Sequence, residues 1–418
     1  MNSNRRDFAL QVVRTLRDAG FQALWAGGCV RDLILGVAPS DYDVATDAVP
    51  EAVMRLFRRT IPVGISFGVV RVLGPRDAGE VEVATFRSDG RYLDGRHPES
   101  VRFGSPEEDA ARRDFTINGM FLDPLTDMII DHVGGRDDLK HGILRAIGDP
   151  VQRFTEDKLR LLRAVRFASR FSFRLDPATE AALRAMADQV TVVAPERITQ
   201  EWKRLLLHPN RVGGVRLTDE TGLLRSVLPE LKTLQGVHRP EDAPRDLWEH
   251  SLRVLELLPN DGSFPLMLAA LLHEVGEGVD ERCRALKLSN AERERVVWLI
   301  GHQNALVEPR ALSEARLKRM LARPEVHDLL ALQRAEALAT SGDLSAVDFC
   351  EAYLLDQPQG PIDPPPLLNG KDLQAHGLRP GPDFSRWLDQ IRDAQLDRLI
   401  ETKGEALAYL DQTILKQS

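Results

Sequence analysis

Three cysteines in 418 residues, Cys29, Cys283 and Cys350, are too few and too scattered to form a disulfide framework. None stands at the spacing of a metal-ligand set, so the chain reads as a protein of a reduced, cytosolic setting. Long apolar runs are missing too. Nothing approaches the ~20 uninterrupted apolar residues that a membrane span needs. A basic excess is absent: 55 Lys and Arg against 63 Asp and Glu leave a net charge of -8, which argues against a protein that coats nucleic acid over its whole surface. Internal repeats and low-complexity tracts are not found. Asn4-Arg5-Arg6-Asp7-Phe8 looks like a twin-arginine export signal, but Arg14, Arg17 and Asp18 interrupt the apolar stretch such a signal requires. The chain therefore reads as having no secretion signal.

What is present is globular in composition, with 43% hydrophobic and 28% charged residues. The length corresponds to roughly three domains at about 150 residues each. Charge is distributed unevenly: residues 151–216 carry 13 Lys and Arg against 7 Asp and Glu. A local excess of +6 on an acidic chain is what a phosphate-contacting face produces.

Up to residue 147, β-like runs alternate with short amphipathic helices. Ala23–Ala26, Asp41–Ala45, Gly68–Leu73 and Val81–Phe86 read as strands; Cys29–Leu35 and Pro50–Arg59 read as helices. After Asp149-Pro150 the strand signals stop and apolar residues recur at helical spacing, as in Leu159, Leu162 and Val165 or Leu252, Leu255 and Leu258. The expected architecture is an α+β head followed by a mainly α-helical neck, body and tail. Its expected divisions are 1–147, 148–216, 217–360 and 361–418, with the Pro361–Pro366 stretch leading into the tail.

Asp41 and Asp43 stand two apart on a predicted strand, so their carboxylates project to one side. Adjacent anionic oxygens repel unless a cation separates them, and an all-oxygen site suits Mg²⁺. An Asp-x-Asp pair by itself is common in solvated turns. Here it follows Gly27-Gly28-Cys29-Val30-Arg31-Asp32, a glycine turn between strand and helix where backbone amides can approach a phosphate. Glu82, between Val81 and Val83 on another predicted strand, supplies a third carboxylate. Three carboxylates beside a glycine turn suit metal-assisted phosphoryl transfer.

With Arg112-Arg113-Asp114-Phe115-Thr116-Ile117-Asn118, these motifs resemble the class II tRNA nucleotidyltransferase and bacterial poly(A) polymerase family of the DNA polymerase β superfamily. Asp131 to Leu139 resembles the hinge motif of that family, and Glu156 to Phe167 its base-recognition helix. The five motifs occur in the family's order over roughly residues 25 to 205. The resemblance implies that Asp41 and Asp43 hold catalytic Mg²⁺ and help activate an RNA 3′-hydroxyl. It implies that Gly27, Gly28 and Arg31 grip the triphosphate, that Arg112 and Asn118 contact the incoming nucleotide, and that Asp157, Arg160, Arg163 and Arg166 form the nucleotide pocket. Asp157 and Arg160, three apart on a predicted helix, share a face. Cytosine and adenine both set an amino donor beside a ring-nitrogen acceptor. A carboxylate and a guanidinium therefore recognise both bases and reject uracil and guanine without a template.

The expected substrates are tRNA with CTP, ATP or both, and no membrane is implied. The polar stretch from Arg87 to Pro98 is similar to the full-length flexible loop of CCA-adding and A-adding members, which disfavours a CC-adding enzyme. A net charge of -8 sits poorly with a poly(A) polymerase. CCA addition and terminal A addition remain open; the latter needs a separate CC-adding enzyme.

Farther along, His250, His273-Glu274 and His302 resemble elements of HD-type metal phosphohydrolases. The usual His-Asp reads His273-Glu274, however, and Glu277 stands where a Lys is usual. The longer Glu side chain displaces its carboxylate by one methylene, so this region reads as a fold remnant. The segment from Leu367 to Gly381 resembles the tail of HD-bearing members of the family.

Overall fold

Ala9, Val12, Val13 and Leu16 recur at helical spacing and are fully buried, and Asn2–Asp18 forms helix α1. The next segment, Ala23–Ala26 (β1), is buried at every residue, as befits a strand covered on both faces. The structure, a computed structural model, describes residues 2–90, 100–239, 245–356 and 361–415. It forms two compact units, 1–229 and 230–418.

The first unit is built on a seven-stranded sheet in the order β3-β4-β5-β2-β1-β8-β9. Besides β1 these strands are Asp43–Thr46 (β2), Thr60–Gly64 (β3), Val69–Leu73 (β4), Glu80–Thr85 (β5), Phe121–Asp123 (β8) and Met128–Ile130 (β9). Only β2 and β5 pair in parallel; the other pairs are antiparallel. Arg87–Asp89 (β6) and Val101–Phe103 (β7) make a separate antiparallel ribbon. That ribbon flanks the loop singled out in the sequence, whose residues from Arg91 to Pro98 lie outside the described residues. Helix α1 packs on β1, β2 and β5. Leu24, Ala26, Ala45, Phe86, Ala110 and Phe121 form a further core cluster.

Several sequence-based boundaries shift. The helix expected over Cys29–Leu35 runs Gly28–Ile34 (α2), and the strand expected from Asp41 begins at Asp43. The Pro50 helix stops at Leu56 (α3) because Phe57 turns extended, with φ −112° and ψ 127°, and leads into β3. Short strands at Phe121–Asp123 and Met128–Ile130 had no clear signal, and each has only three residues in which to show alternation. Strand pairing also continues past residue 150: Ile143–Leu144 (β10) pairs in parallel with Arg174–Leu175 (β11).

Pro106–Ala111 (α4) and Gly135–His141 (α5) complete the sheet-bearing part. Asp131 tethers the start of α5, accepting hydrogen bonds from the amides of Val133, Gly134, Gly135 and Arg136 at 2.9 to 3.1 Å. Gly135 is required there, since a Cβ would lie 2.3 Å from the Thr116 carbonyl oxygen. Six helices follow in this unit: Pro150–Glu156 (α6), Leu159–Phe171 (α7), Pro177–Met186 (α8), Pro195–Leu206 (α9), Arg211–Glu220 (α10) and Leu223–Val227 (α11). Helix α7 packs against α9 and α10 and carries Arg160, Arg163, Arg166 and Arg170.

The second unit is helical: Leu247–Leu257 (α12), Phe264–Leu272 (α13), Val279–Ala285 (α14), Asn290–Gly301 (α15), Glu314–Leu321 (α16), Val326–Ala339 (α17), Ser345–Asp356 (α18), Gly370–Ala375 (α19), Asp383–Leu396 (α20) and Lys403–Tyr409 (α21). Helix α13 is apolar all round and buried at every residue, with α12, α15 and α17 packed about it. A second core around Leu373, Ile391, Ala406 and Leu410 holds the last helices together. Among the described residues no helix is long and apolar enough to cross a membrane.

Candidate active site

Exposure alternates along Asp41, Tyr42, Asp43 and Val44, with the two aspartates open and their neighbours buried. Tyr42 anchors this turn beneath the sheet surface, its ring 4.7 Å from that of Trp25. Both aspartates therefore face the same side, although only Asp43 lies in the strand. Glu82 stands directly opposite Asp43 in the parallel β2–β5 pairing. Asp41 is held from the N-terminal helix, with Arg5 donating to the Ser40 carbonyl at 2.7 Å and lying 3.7 Å from the Asp41 carboxylate.

The Asp43 carboxyl is pushed up to about 6. Crowding by surrounding protein is the main cause, although the residue opens to the cleft; Glu82 and then Asp41 add to it, and Arg113 opposes it. A set of hard oxygen donors that repel one another in this way fits a divalent cation of the Mg²⁺ type.

The glycine turn adjoins this carboxylate face. Gly27 has φ +71°, and a Cβ on it would lie 2.8 Å from Nη1 of Arg113. The missing side chain thus lets a guanidinium approach the turn. Arg113 and Arg112 share the buried Asp109, with contacts of 2.9 Å and 2.6 Å. Arg31 is buried, donates to Asn118 Oδ1 at 2.6 Å and to Asp32 at 2.8 Å, and lies over the rings of Phe167 and Phe171.

Asn118 in turn donates to Asp114 at 3.0 Å, and Asp114 accepts from Arg163 at 2.8 Å and 2.5 Å. Burial alone would raise the Asp114 carboxyl, but Arg163 and the Asn118 hydrogen bond outweigh it and hold it at about 2.

The predicted helix through Asp157 is broken. Asp157 has φ −146° and ψ 107° and lies between α6 and α7, where its carboxylate accepts from the Leu159 amide at 3.0 Å. It does not pair with Arg160. Arg197 of α9 donates to it through both terminal nitrogens, at 3.2 Å and 2.8 Å. Arg160 is held by Glu156 at 2.6 Å, by the Arg153 carbonyl at 2.9 Å and by the Arg112 carbonyl at 3.1 Å. Arg166 is buried against Glu201 and covers Phe167.

All of the residues singled out in the sequence for this chemistry line one cavity of about 910 Å³, except Glu82, which joins it through Asp43. Nine arginines and four aspartates line it. Sequence reading missed several members, chiefly Arg170, Arg197 and Arg204. Their only signal was the basic excess of residues 151–216, because contacts between α7 and α9 are long-range.

The second unit holds a separate cluster. His250, His273, Glu274 and Glu336 bring one ligand atom each to within 4.8 Å of one another. His302, expected among them, instead contacts the Trp298 carbonyl and lines another depression, whereas Glu336 of α17 was not foreseen. Burial alone would lower His273, but the carboxylates of Glu274 and Glu336 outweigh it and raise it to about 9.

Carboxylates beside a glycine turn, at the mouth of an arginine-lined cavity on a mixed sheet, define a nucleotidyltransferase head. The Poly A polymerase head domain matches residues 23–145, and the probable RNA and SrmB-binding site of polymerase A matches residues 172–234. The chain is 31% identical over 420 residues to the CCA-adding enzyme of Lactobacillus helveticus, covering 96% of each, and 35% identical over 354 residues to that of Enterococcus faecalis, covering 81% of this chain and 86% of the relative. The crystal structure of the Bacillus stearothermophilus CCA-adding enzyme in complex with CTP matches with a TM-score of 0.79 at 30% identity, covering 98% of both chains. The Thermotoga maritima CCA-adding enzyme complexed with tRNA shares the fold, with a TM-score of 0.63 at 20% identity over 97% of this chain and 95% of that one. The chain belongs to the CCA-adding enzyme family.

Proposed function

We propose that the chain is a template-independent tRNA nucleotidyltransferase that transfers CMP and AMP units from CTP and ATP to a tRNA 3′ end and releases pyrophosphate. The observation that carries this reading is the single cavity on which the carboxylates, the glycine turn and nine arginines converge. Within it we assign chemistry to the head, 1–147, base selection to the neck, 148–216, and tRNA contacts to the body, 217–360, and tail, 361–418.

Asp41 and Asp43 hold a divalent cation, Mg²⁺ by the hardness of the donors, with Glu82 opposite Asp43. Such a cation, when bound, neutralises charge on the attacking and departing oxygens of an in-line displacement. The Asp41 and Asp43 carboxylates also draw the RNA 3′-hydroxyl into line with the α-phosphorus. Gly27, Gly28 and Arg31 shape the triphosphate subsite, and Arg112 and Arg113 offer guanidinium donors to its oxygens. Asn118, fixed between Arg31 and Asp114, orients the ribose.

Asp157 accepts from the exocyclic amino group of cytosine or adenine, and Arg160 donates to the neighbouring ring nitrogen. Arg163 and Arg166 pack the pocket wall through Phe167. Uracil and guanine place a carbonyl oxygen against the Asp157 carboxylate and leave its remaining lone pair without a donor, a costly mismatch in a partly buried polar site.

The test uses purified protein with Mg²⁺ and three tRNAs, ending before the CCA, after one C, and after both Cs. Addition of C, C and A to the shortest is the expected result. Addition of A alone to the tRNA ending in CC makes the protein an A-adding enzyme that needs a separate CC-adding partner. Long A tails on unrelated RNA, or no incorporation, overturn the proposal.

A further inference from the structure

The arginines of the cavity are not held alike. Seven of the nine have a carboxylate at 2.9 Å or less. Arg170 and Arg204 are held more loosely, each by a carboxylate that another arginine already engages. Arg170 lies 3.9 Å from Asp32 Oδ2, while Arg31 pairs with Asp32 Oδ1 at 2.7 Å. Arg204 meets Glu201 Oε1 at 3.1 Å, while Arg166 takes Oε2. Among the described residues the Arg170 guanidinium donates no hydrogen bond, and it rests over the Phe171 ring at 5.1 Å from the centroid.

His208 lines the same cavity and is near enough to Arg170 to feel its charge. Its Nδ1 accepts from the Asn210 amide at 3.1 Å, which places the proton on Nε2. Burial, and then Arg170, lower the imidazole, so it is neutral at pH 7 and offers one N–H donor. Position along α7 limits what Arg170 can meet. It stands about 15 Å farther along the helix than Arg160, out of reach of a base read by Asp157 and Arg160. Its link through Asp32 sets it beside Arg31 and the triphosphate subsite. In-line displacement sends the attacking and departing oxygens to opposite sides of the α-phosphorus. Groups next to Arg31 therefore face the departing phosphates, and Asp41 and Asp43 face the RNA 3′-hydroxyl.

We infer that Arg170, with His208 and Arg204, forms the subsite that receives the β- and γ-phosphates of CTP or ATP and retains them as the departing pyrophosphate. The inference rests on the transferase reading and extends it to the leaving group. A guanidinium without a tight carboxylate is free to turn to a phosphate and donate two parallel N–H bonds. Arg170 and Arg204 supply charge there, and His208 supplies a neutral donor. These phosphates are common to CTP and ATP, so the subsite governs affinity and product release and is blind to the base.

The experiment titrates inorganic pyrophosphate with Mg²⁺ into the full chain without tRNA, and repeats the titration with Arg170→Gln, Arg170→Lys and His208→Gln. The Arg170 side chain is 38% exposed, so its replacement should leave the fold intact, and thermal midpoints check this. Pyrophosphate affinity should fall at least about tenfold in Arg170→Gln, the worth of one charge-assisted hydrogen bond. It should recover in part in Arg170→Lys, which keeps the charge but not the fork, and fall less in His208→Gln. In Arg170→Gln the KM values for CTP and ATP should rise by one common factor, with rejection of UTP and affinity for tRNA unchanged. Two results overturn the inference. One is equal pyrophosphate affinity in wild type and Arg170→Gln. The other is weaker tRNA binding in Arg170→Gln with a salt dependence reduced by about one charge, which places this cation on the RNA backbone. The titration needs no incorporation, so a wild-type protein that transfers no nucleotide counts against the transferase reading, and the pyrophosphate affinities still decide the subsite.

Discussion

Asp157 is gripped by Arg197 from α9 through two hydrogen bonds of 2.8 Å and 3.2 Å, although Arg160 is three residues away in sequence. In its proposed base-reading role the carboxylate is oriented by this guanidinium and by the Leu159 amide, and keeps one lone pair, on Oδ2, for an amino group. Asp157→Ala removes the acceptor that distinguishes an amino group from a carbonyl. Incorporation of UTP and GTP should rise relative to CTP and ATP by at least about tenfold, the worth of one charge-assisted hydrogen bond. Competition between labelled nucleotides measures this, and unchanged rejection of UTP removes Asp157 from base recognition.

On the proposed reading, Arg197 acts on the base through Asp157, which it holds by two hydrogen bonds. Arg197→Ala frees the carboxylate to rotate, so the KM for CTP and ATP should rise about tenfold while bound nucleotide still reacts. The pair behaves as a unit, so in the Asp157→Ala background the further loss of Arg197 should cost much less than it does alone. A double-mutant cycle on kcat/KM decides this. Additive losses would mean that Arg197 contacts nucleotide or RNA directly.

The part of the site that lies close in sequence was readable, and the part made by tertiary packing was not. Asp41 and Asp43 betray themselves by the period of a strand, and exposure alternates across them as that period requires. Gly27 is legible because a turn between strand and helix calls for a residue that tolerates positive φ. Asp157 and Arg160 were expected on one helix face, since their spacing fits it. The chain breaks there because the Asp157 carboxylate caps the start of the next helix at the Leu159 amide, a competing local bond that spacing alone cannot reveal. Arg197 and Glu336 come from helices 40 and 86 residues away from their partners, Asp157 and His250, and only packing could place them. The fold class followed from the change of period near residue 150. The two three-residue strands at one end of the sheet, β8 and β9, escaped because they are too short for a period to show.

As the proposed metal ligand, Asp43 should set a pH limit on the reaction. Its carboxyl is raised to about 6 by burial, Glu82 and Asp41, and a metal ligand must be deprotonated. The Mg²⁺ concentration for half-maximal incorporation should therefore be constant above about pH 7 and climb about tenfold per pH unit below 6. Saturating Mg²⁺ should shift the acid limb of the rate profile downward. In Asp43→Glu any residual activity should show an altered limb, and in Asp43→Ala incorporation should vanish with tRNA binding retained. A rate that is insensitive to Mg²⁺ at pH 5.5 would separate Asp43 from the metal.

Asp114 contributes stability as well as position. Its carboxyl is buried, holds Arg163 and Asn118, and is depressed to about 2. A depressed carboxyl stabilises the fold at every pH above its unfolded value near 4, and that contribution is lost as pH falls toward 2. The depression corresponds to about 2 kcal/mol at neutral pH. Asp114→Asn keeps the shape but leaves the Arg163 guanidinium without its anion, so the loss should be at least that large. For a unit of this size the unfolding midpoint should drop by roughly 4 to 8 °C at pH 7. The gap between variant and wild type should close as pH is lowered through 4 toward 2, because protonation makes the native carboxyl neutral too. Thermal melts of both proteins between pH 7 and the lowest pH at which they remain folded test this directly. A gap independent of pH would show that Asp114 stabilises the neck by packing and not by its charge.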